Sequence, residues 1–334
     1  MANEPVLVLG AGAWGTALAC VLADGGRPVW LWGRDEAQRR ELRHVRENRR
    51  YLPDIPLPAS IEILDEISAL PAACRWAVLA TPCQSTRSMA RYLRDAAPQV
   101  EGVVCAAKGL EVGSRQLVQA VAAAELGPGV AVALLSGPTF AREVAEGRPA
   151  AVTIGAADAA FGRALVARFH TARFRPYLST DPIGVAVGGS VKNVLAIAAG
   201  VADGLQLGAN SRAALITRGL AEVARFGVAL GAQRETFMGL SGLGDLVLTC
   251  TDDQSRNRRL GLALGAGETK TDAEARIGLV EGASSAGAVA AEATRLGVEM
   301  PIVGEVAALL AEVRGPREVV ERLMAREPGT ETDA

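Results

Sequence analysis

Apolar positions in this chain follow two different patterns, and the change falls near residue 180. In the first part they come as short continuous runs: Pro5–Leu9 with its VLVL, Val29–Trp32, Ile61–Ile63, Trp76–Ala80, Val103–Ala106, Val130–Leu135, Val152–Ile154 and Phe174–Leu178. Such runs predict strands buried on both faces of a parallel sheet. Helical spacing separates them. Ala17, Leu18, Val21 and Leu22 lead to a stop at Gly25-Gly26, a basic helix follows Asp35, and further helices are expected from Ser85 and Ser114. The proline-punctuated stretch Tyr51–Pro58 is expected to be a loop. Alternating strands and helices predict an α/β, doubly wound parallel sheet with its ligand crevice at the carboxyl ends of the strands.

Beyond residue 180 the pattern becomes helical, and no stretch reads as a strand. Asp181 suits a helix cap and Pro182 the first helical position. Val191, Val194, Leu195, Ala198, Ala202 and Leu205 then recur at helical spacing, with Ile197 and Val201 carrying the apolar surface most of the way round. A helix apolar on nearly every side is buried. Lys192 and Asn193 lie inside it. A lysine there either finds a partner, gives up its proton more easily than in water, or faces a wet cleft; snorkelling from the helix margin is the plain alternative. Apolar segments at Ala213–Leu230, Arg259–Leu264, Ala288–Arg295, Glu305–Val313 and Val319–Ala325 complete an expected all-helical domain. The expected organisation is an α/β sheet domain at 1–180 and a helical domain at 181–334, the polar tail 327–334 being mobile.

Composition narrows the chemistry. A net charge of -2 on 334 residues gives no basic face for nucleic acid. The chain runs straight into its first strand without a charged leader, and its longest apolar tract is broken by Lys192 and Asn193. Neither export nor a membrane span is expected. Five scattered cysteines without a C-x-x-C pair fit reduced thiols in a cytoplasm. With only His44 and His170, a histidine metal site or triad is not expected, and acid/base work falls to lysine or a carboxylate.

The first strand leads into Gly10-Ala11-Gly12-Ala13-Trp14-Gly15, followed at once by a helix. Between strand and helix, G-x-G-x-x-G indicates a dinucleotide pyrophosphate and a Rossmann-like domain. The second strand ends in Gly33-Arg34-Asp35. An arginine there can hold a 2′-phosphate, which favours NADPH; the adjacent Asp35 keeps NADH open through its capacity to accept from a ribose 2′-OH. Polar residues cluster at other strand ends: Thr81-Pro82, Lys108-Gly109, and Ser136 to Phe140 with Gly137 and Thr139. In the helical half, Gly242-Leu243-Gly244-Asp245 precedes a run that includes Ser255, Arg256, Asn257, Arg258 and Arg259. Hydroxyl, amide and guanidinium donors at a helix start suit a phosphate, although the same residues also serve as caps with a charged surface.

GAGAWGTA, AAKGLE, SGPTFA, IGVAVGGSVKNV, GLGDLVLTCT and QSRNRR occur here in one order, and the chain resembles the bacterial-type NAD(P)-dependent glycerol-3-phosphate dehydrogenases from Val6 to about Pro301. The resemblance implies interconversion of sn-glycerol 3-phosphate and dihydroxyacetone phosphate, feeding glycerophospholipid synthesis, by a homodimer. It implies cofactor contacts at Ala13, Trp14, Arg34, Lys108, Ala141, Arg256, Leu279 and Glu281. Lys108, Gly137, Thr139, Asp245, Ser255, Arg256 and Asn257 would line the substrate, with Lys192 as the proton-transferring residue. Two departures stand out: Ala13 replaces a serine common in relatives, and the segment Val280–Ala286 diverges after Glu281-Gly282.

Ketone reduction needs a hydride and a proton. Desolvation and the like charge of Lys108 are expected to lower the pKa of Lys192, with Asp245 opposing by ion pairing. Lys108 would polarise the carbonyl or contact phosphate. Two other readings fit the pattern: a dehydrogenase of the β-hydroxyacid or 6-phosphogluconate type, and a dinucleotide sensor without turnover.

Overall fold

The computed structural model describes residues 4–327, so most of the expected mobile tail lies outside the described residues. The chain forms two compact units. The first runs to Ala107 and resumes over Val118–Pro182; the second takes in Lys108–Leu117 and continues from Ile183. The 108–117 segment therefore belongs with the helical unit rather than inside an unbroken first domain. A helix expected from Ser114 begins only at Val118.

The first unit contains β1 (Val6–Leu9), α1 (Ala13–Asp24), β2 (Val29–Trp32), α2 (Glu36–Val45), β3 (Glu47–Asn48), β4 (Leu52–Pro56), β5 (Ile61–Ile63), β6 (Trp76–Leu79) and α3 (Thr86–Ala96). It continues with β7 (Gly102–Cys105), α4 (Val118–Leu126), β8 (Ala131–Ser136), α5 (Ala141–Ala145), β9 (Ala150–Gly155), α6 (Ala159–Phe169) and β10 (Phe174–Ser179). Eight strands make one sheet in the order β10-β9-β8-β7-β6-β1-β2-β5. The order reverses between β1 and β6, where an open α/β sheet places its ligand crevice. Because side chains alternate along a strand, Val6 and Val8 share a core with Leu18 and Leu22 of α1 and with Leu165 and Phe169 of α6. Leu7 and Leu9, also fully buried, point to the other face. This two-sided burial produces the continuous apolar runs.

Two features depart from expectation. β9 runs antiparallel to β8, so the sheet is not parallel throughout, although β10 pairs parallel with β9. Five-residue α5 rises only ~7.5 Å, too short to carry the chain back along a strand of about 20 Å; the chain returns antiparallel instead. The proline-rich stretch expected as a loop holds an antiparallel hairpin, β3 with β4. Proline is tolerated there because the pair lies outside the main sheet.

The second unit is helical: α7 (Pro182–Gly204), α8 (Gly208–Ala229), α9 (Asp245–Thr251), α10 (Arg256–Gly265), α11 (Lys270–Ile277), α12 (Glu281–Leu296), α13 (Pro301–Leu310) and α14 (Pro316–Met324). Every residue of α7 from Gly184 to Ala202 is buried. Although α7 is long and apolar enough to cross a membrane, its most apolar stretch lies entirely inside the protein. Glycines let α10 press against it: a methyl group at Gly200 would sit 2.1 Å from the Arg258 carbonyl oxygen, and one at Gly261 2.0 Å from that of Ile197. All five cysteines are free and buried.

Candidate active site

In the first unit the glycine turn divides its work among three residues. Gly10 adopts φ +118°, and an added methyl group would lie 2.5 Å from the Ala80 carbonyl oxygen, so the turn packs directly on the end of β6. At Gly15 the same addition would fall 1.8 Å from the Gly10 carbonyl, which shows how tightly α1 seats on its strand. Gly12, the residue before α1, meets nothing within 4 Å on that side. Backbone N–H groups at a helix start with an open approach make an anion cradle. Trp14 Nε1, Thr81 Oγ1 and Ser136 Oγ are buried without a protein partner; Trp14 lies in the first turn of α1, Thr81 just past β6, and Ser136 is the last residue of β8. A cradle that side chains leave open and donors without partners both fit a dinucleotide.

After β2, Asp35 turns its carboxylate to the start of α2, where Oδ1 accepts from the backbone N–H groups of Ala37 and Gln38 at 2.9 and 3.2 Å. That cap engages one carboxylate oxygen; the other, Oδ2, lies 3.5 Å from an Arg50 guanidinium nitrogen. Arg34 is exposed, and its side chain has no hydrogen bond or ion pair among the described residues. Gly137, Thr139 and Ala141 lie at the end of β8 and the start of α5. Gly137 adopts φ +150°, and the Thr139 hydroxyl donates to its carbonyl at 3.2 Å.

The second unit brings Lys192, Lys108 and Asp245 together. Lys192 is positioned by Gly188, one turn earlier on α7, where an added methyl group would lie 2.4 Å from the Ser241 carbonyl. That approach seats α7 against the π-helical turn Leu240–Gly244, which the GLGDL pattern suggested only as a glycine turn, and α9 starts there with Asp245. Asp245 is fully buried. Its Oδ1 accepts from Lys192 Nζ, and its Oδ2 accepts from Lys108 Nζ at 2.7 Å. Lys108 is held in turn by its neighbour, since Gly109 N–H donates to Ser190 Oγ on α7 at 2.9 Å. Thr249, one turn past Asp245, was not singled out from sequence. Its hydroxyl accepts from Lys192 Nζ at 2.8 Å and donates to the Asp245 carbonyl at 2.6 Å. The i, i+4 spacing from Asp245 is the signal that could have identified it.

Electrostatics follow from this geometry. Burial lowers the Lys192 pKa to about 8, opposed by the Asp245 carboxylate and assisted by the Lys108 ammonium. Two of its three N–H donors are engaged, which leaves one for a substrate oxygen. Glu281, the first residue of α12, has its pKa raised by burial while Arg256, Lys108 and Lys192 pull it down, which places it in the same electrostatic cluster. Leu279 is 53 % exposed. The arginine run separates by role. Arg258 is buried and structural, bound to Asp203 at 2.6 Å, to Asp253, and to the Cys250 carbonyl at 3.1 Å. Arg256, at the start of α10, is exposed and without a hydrogen-bonded partner among the described residues. Ser255 caps α10 by accepting from Arg258 N–H, while Asn257 bridges Asn193 of α7 and the Gly282 N–H of α12.

A dinucleotide cradle and, in the same chain, a buried lysine able to exchange a proton near neutral pH define a nicotinamide-dependent dehydrogenase. Known proteins narrow the class. The pattern of the NAD-dependent glycerol-3-phosphate dehydrogenase N-terminus matches residues 5–162, and that of the C-terminus matches 181–321. The chain is 50% identical over 327 residues to the glycerol-3-phosphate dehydrogenase, NAD(P)+, of Alkalilimnicola ehrlichii, covering 98% of both. It is likewise 50% identical over 329 residues to that of Thioalkalivibrio sulfidiphilus, again covering 98% of each. The crystal structure of glycerol-3-phosphate dehydrogenase from Coxiella burnetii superposes with a TM-score of 0.92 at 41% identity, over 97% of this chain and 99% of that one. The chain belongs to the NAD(P)-dependent glycerol-3-phosphate dehydrogenase family.

Proposed function

We propose that this chain interconverts sn-glycerol 3-phosphate and dihydroxyacetone phosphate, prefers NADPH, and supplies precursor for glycerophospholipids. The homodimer and the cytoplasmic setting implied by the resemblance belong to the same proposal. One observation carries the mechanism: Lys192 Nζ is fixed by Asp245 and Thr249 with one donor left over. When bound, the nicotinamide supplies the hydride to the carbonyl carbon. Lys192, as the ammonium, gives its proton to the developing alkoxide; in the reverse direction the neutral amine takes the hydroxyl proton. Asp245 holds both lysines, and Lys108 adds positive charge where negative charge develops on oxygen. Arg256, with its planar fork exposed at a helix start, anchors the phosphate together with the α10 N-terminus. Ser255 and Asn257 support it by capping α10 and by tying α10 to α7 and α12. The roles of Gly137, Thr139 and Ala141 rest on the resemblance.

Absorbance of reduced nicotinamide tests this directly, with dihydroxyacetone phosphate as substrate and NADPH and NADH run in parallel. The phosphorylated ketone should be reduced rapidly, with NADPH preferred. Unphosphorylated dihydroxyacetone should lose roughly a hundredfold or more in kcat/KM, as expected when charge-assisted hydrogen bonds are forfeited. No oxidation of either cofactor, by protein that binds it, would instead support a sensor or one of the other dehydrogenase types.

A further inference from the structure

The carbonyl of Ala11, inside the glycine turn, accepts two side-chain amides: Gln38 Nε2 at 2.7 Å and Asn48 Nδ2 at 3.0 Å. Asn48 is 2 % exposed, and its amide also donates to Thr16 Oγ1 on α1 at 2.7 Å. Its own oxygen lies 3.4 Å from Gln38 Nε2, so the two amides form one network. Asn48 comes from the hairpin strand β3 and Gln38 from the first turn of α2, and neither belongs to the glycine motif.

We infer that Asn48 and Gln38 are positioning residues for the dinucleotide pyrophosphate, acting through the Ala11–Gly12 peptide. The peptide unit is planar, and no cis bond occurs among the described residues, so its C=O and N–H point in opposite directions. Two amides holding the Ala11 oxygen on one side therefore aim the Gly12 N–H away from them. The donors also draw on the carbonyl's partial negative charge, which would otherwise repel an anion beside the turn. Gly33, at the end of β2, completes the frame: a methyl group there would lie 2.9 Å from Ala11 Cβ. Arg39, beside Gln38 on α2, donates to the Gly33 and Arg34 carbonyls at 2.7 and 3.0 Å. One face of α2 and one hairpin residue thus hold both the pyrophosphate turn and the backbone that carries Arg34.

The inference rests on the proposed function only so far as a dinucleotide binds, and the test is equilibrium binding rather than turnover. NADPH is titrated by fluorescence into wild-type protein, Gln38→Met, Asn48→Ala and Asn48→Asp, and unfolding of each is measured without cofactor. Gln38→Met preserves chain length and removes the donors. It should raise the NADPH Kd roughly fivefold, with only a small loss of cofactor-free Tm and with the KM for dihydroxyacetone phosphate, measured at saturating NADPH, unchanged. Asn48→Ala should raise Kd about tenfold or more. Asn48→Asp, which turns a carboxylate toward the carbonyl, should be the weakest binder of the set. NADPH affinity equal to wild type in Gln38→Met and Asn48→Asp would overturn the inference, as would affinity losses that merely track lost Tm. Wild-type protein that binds neither NADPH nor NADH would overturn the proposed function itself, and this inference with it.

Discussion

Asp245 sets one buried carboxylate against two ammonium groups, one on each oxygen. Burial is the main reason that the Lys192 pKa falls to about 8; the Asp245 carboxylate opposes the fall and the Lys108 ammonium adds to it. At this scale the sequence was informative where a residue type conflicted with its surroundings. Lys192 stood out as a cation in an apolar helix. Thr249 did not, because one hydroxyl in the Thr249-Cys250-Thr251 stretch resembles the next until α9 turns one of them toward Lys192. Arg256 and Arg258 were likewise inseparable by type, since only the fold shows that Asp203 and Asp253 claim the second. Arg256→Lys should raise the KM for dihydroxyacetone phosphate roughly tenfold to a hundredfold, because a point charge cannot replace a fork on two oxygens. Its unfolding free energy should stay within about 0.5 kcal/mol of wild type. Steady-state kinetics beside a denaturant melt check both; equal loss of folding and activity would make Arg256 a capping residue.

Among elements, α7 bears the helical unit. α10 reaches it only because Gly200 and Gly261 leave no side chain between the backbones. Gly200→Ala should destabilise the protein by about 1–3 kcal/mol or more, as overpacking does, with a matching fall in the urea midpoint; an unchanged midpoint would refute the packing account. On α8, Glu222 is buried and accepts from the N–H groups of Ile302 and Val303 at 2.7 and 3.2 Å, capping α13. Burial outweighs those hydrogen bonds and raises its pKa from 4.5 to about 7. The folded state then holds a proton between those values that the unfolded state has lost. The associated stability is present below pH 4.5 and is lost as pH rises through about 7, on the order of 3 kcal/mol. Melting curves from pH 5 to 8 should show Tm falling in wild type and a flatter profile in Glu222→Gln; parallel profiles would exclude Glu222 as the source.

For the whole molecule, the periodicities were enough to separate a sheet unit from a helical unit, because burial on two faces and burial around a helix leave different apolar patterns. They could not reveal that Lys108–Leu117 groups with the helices. Two hydrogen bonds of that segment run to Ser190 and Asp245, 81 and 137 residues away in sequence, a distance that local periodicity does not register. The antiparallel β9 was hidden for a similar reason, since strand direction depends on how far a connection travels rather than on the strand's own residues. The β3–β4 hairpin was masked by Pro53 and Pro56, and with it went Asn48, whose partners are Ala11 and Thr16.

With Lys192, tuned by burial, Asp245 and Lys108, as the proposed proton carrier, kcat should depend on pH in opposite senses in the two directions of the reaction. Reduction of dihydroxyacetone phosphate needs the ammonium and should fall as pH rises through about 8; oxidation of glycerol 3-phosphate needs the free amine and should rise through the same point. Mirrored profiles that disappear in Lys192→Ala, with residual turnover flat across that range, are the predicted result. Profiles flat from pH 7 to 9 in wild type, or unchanged in the variant, would contradict it.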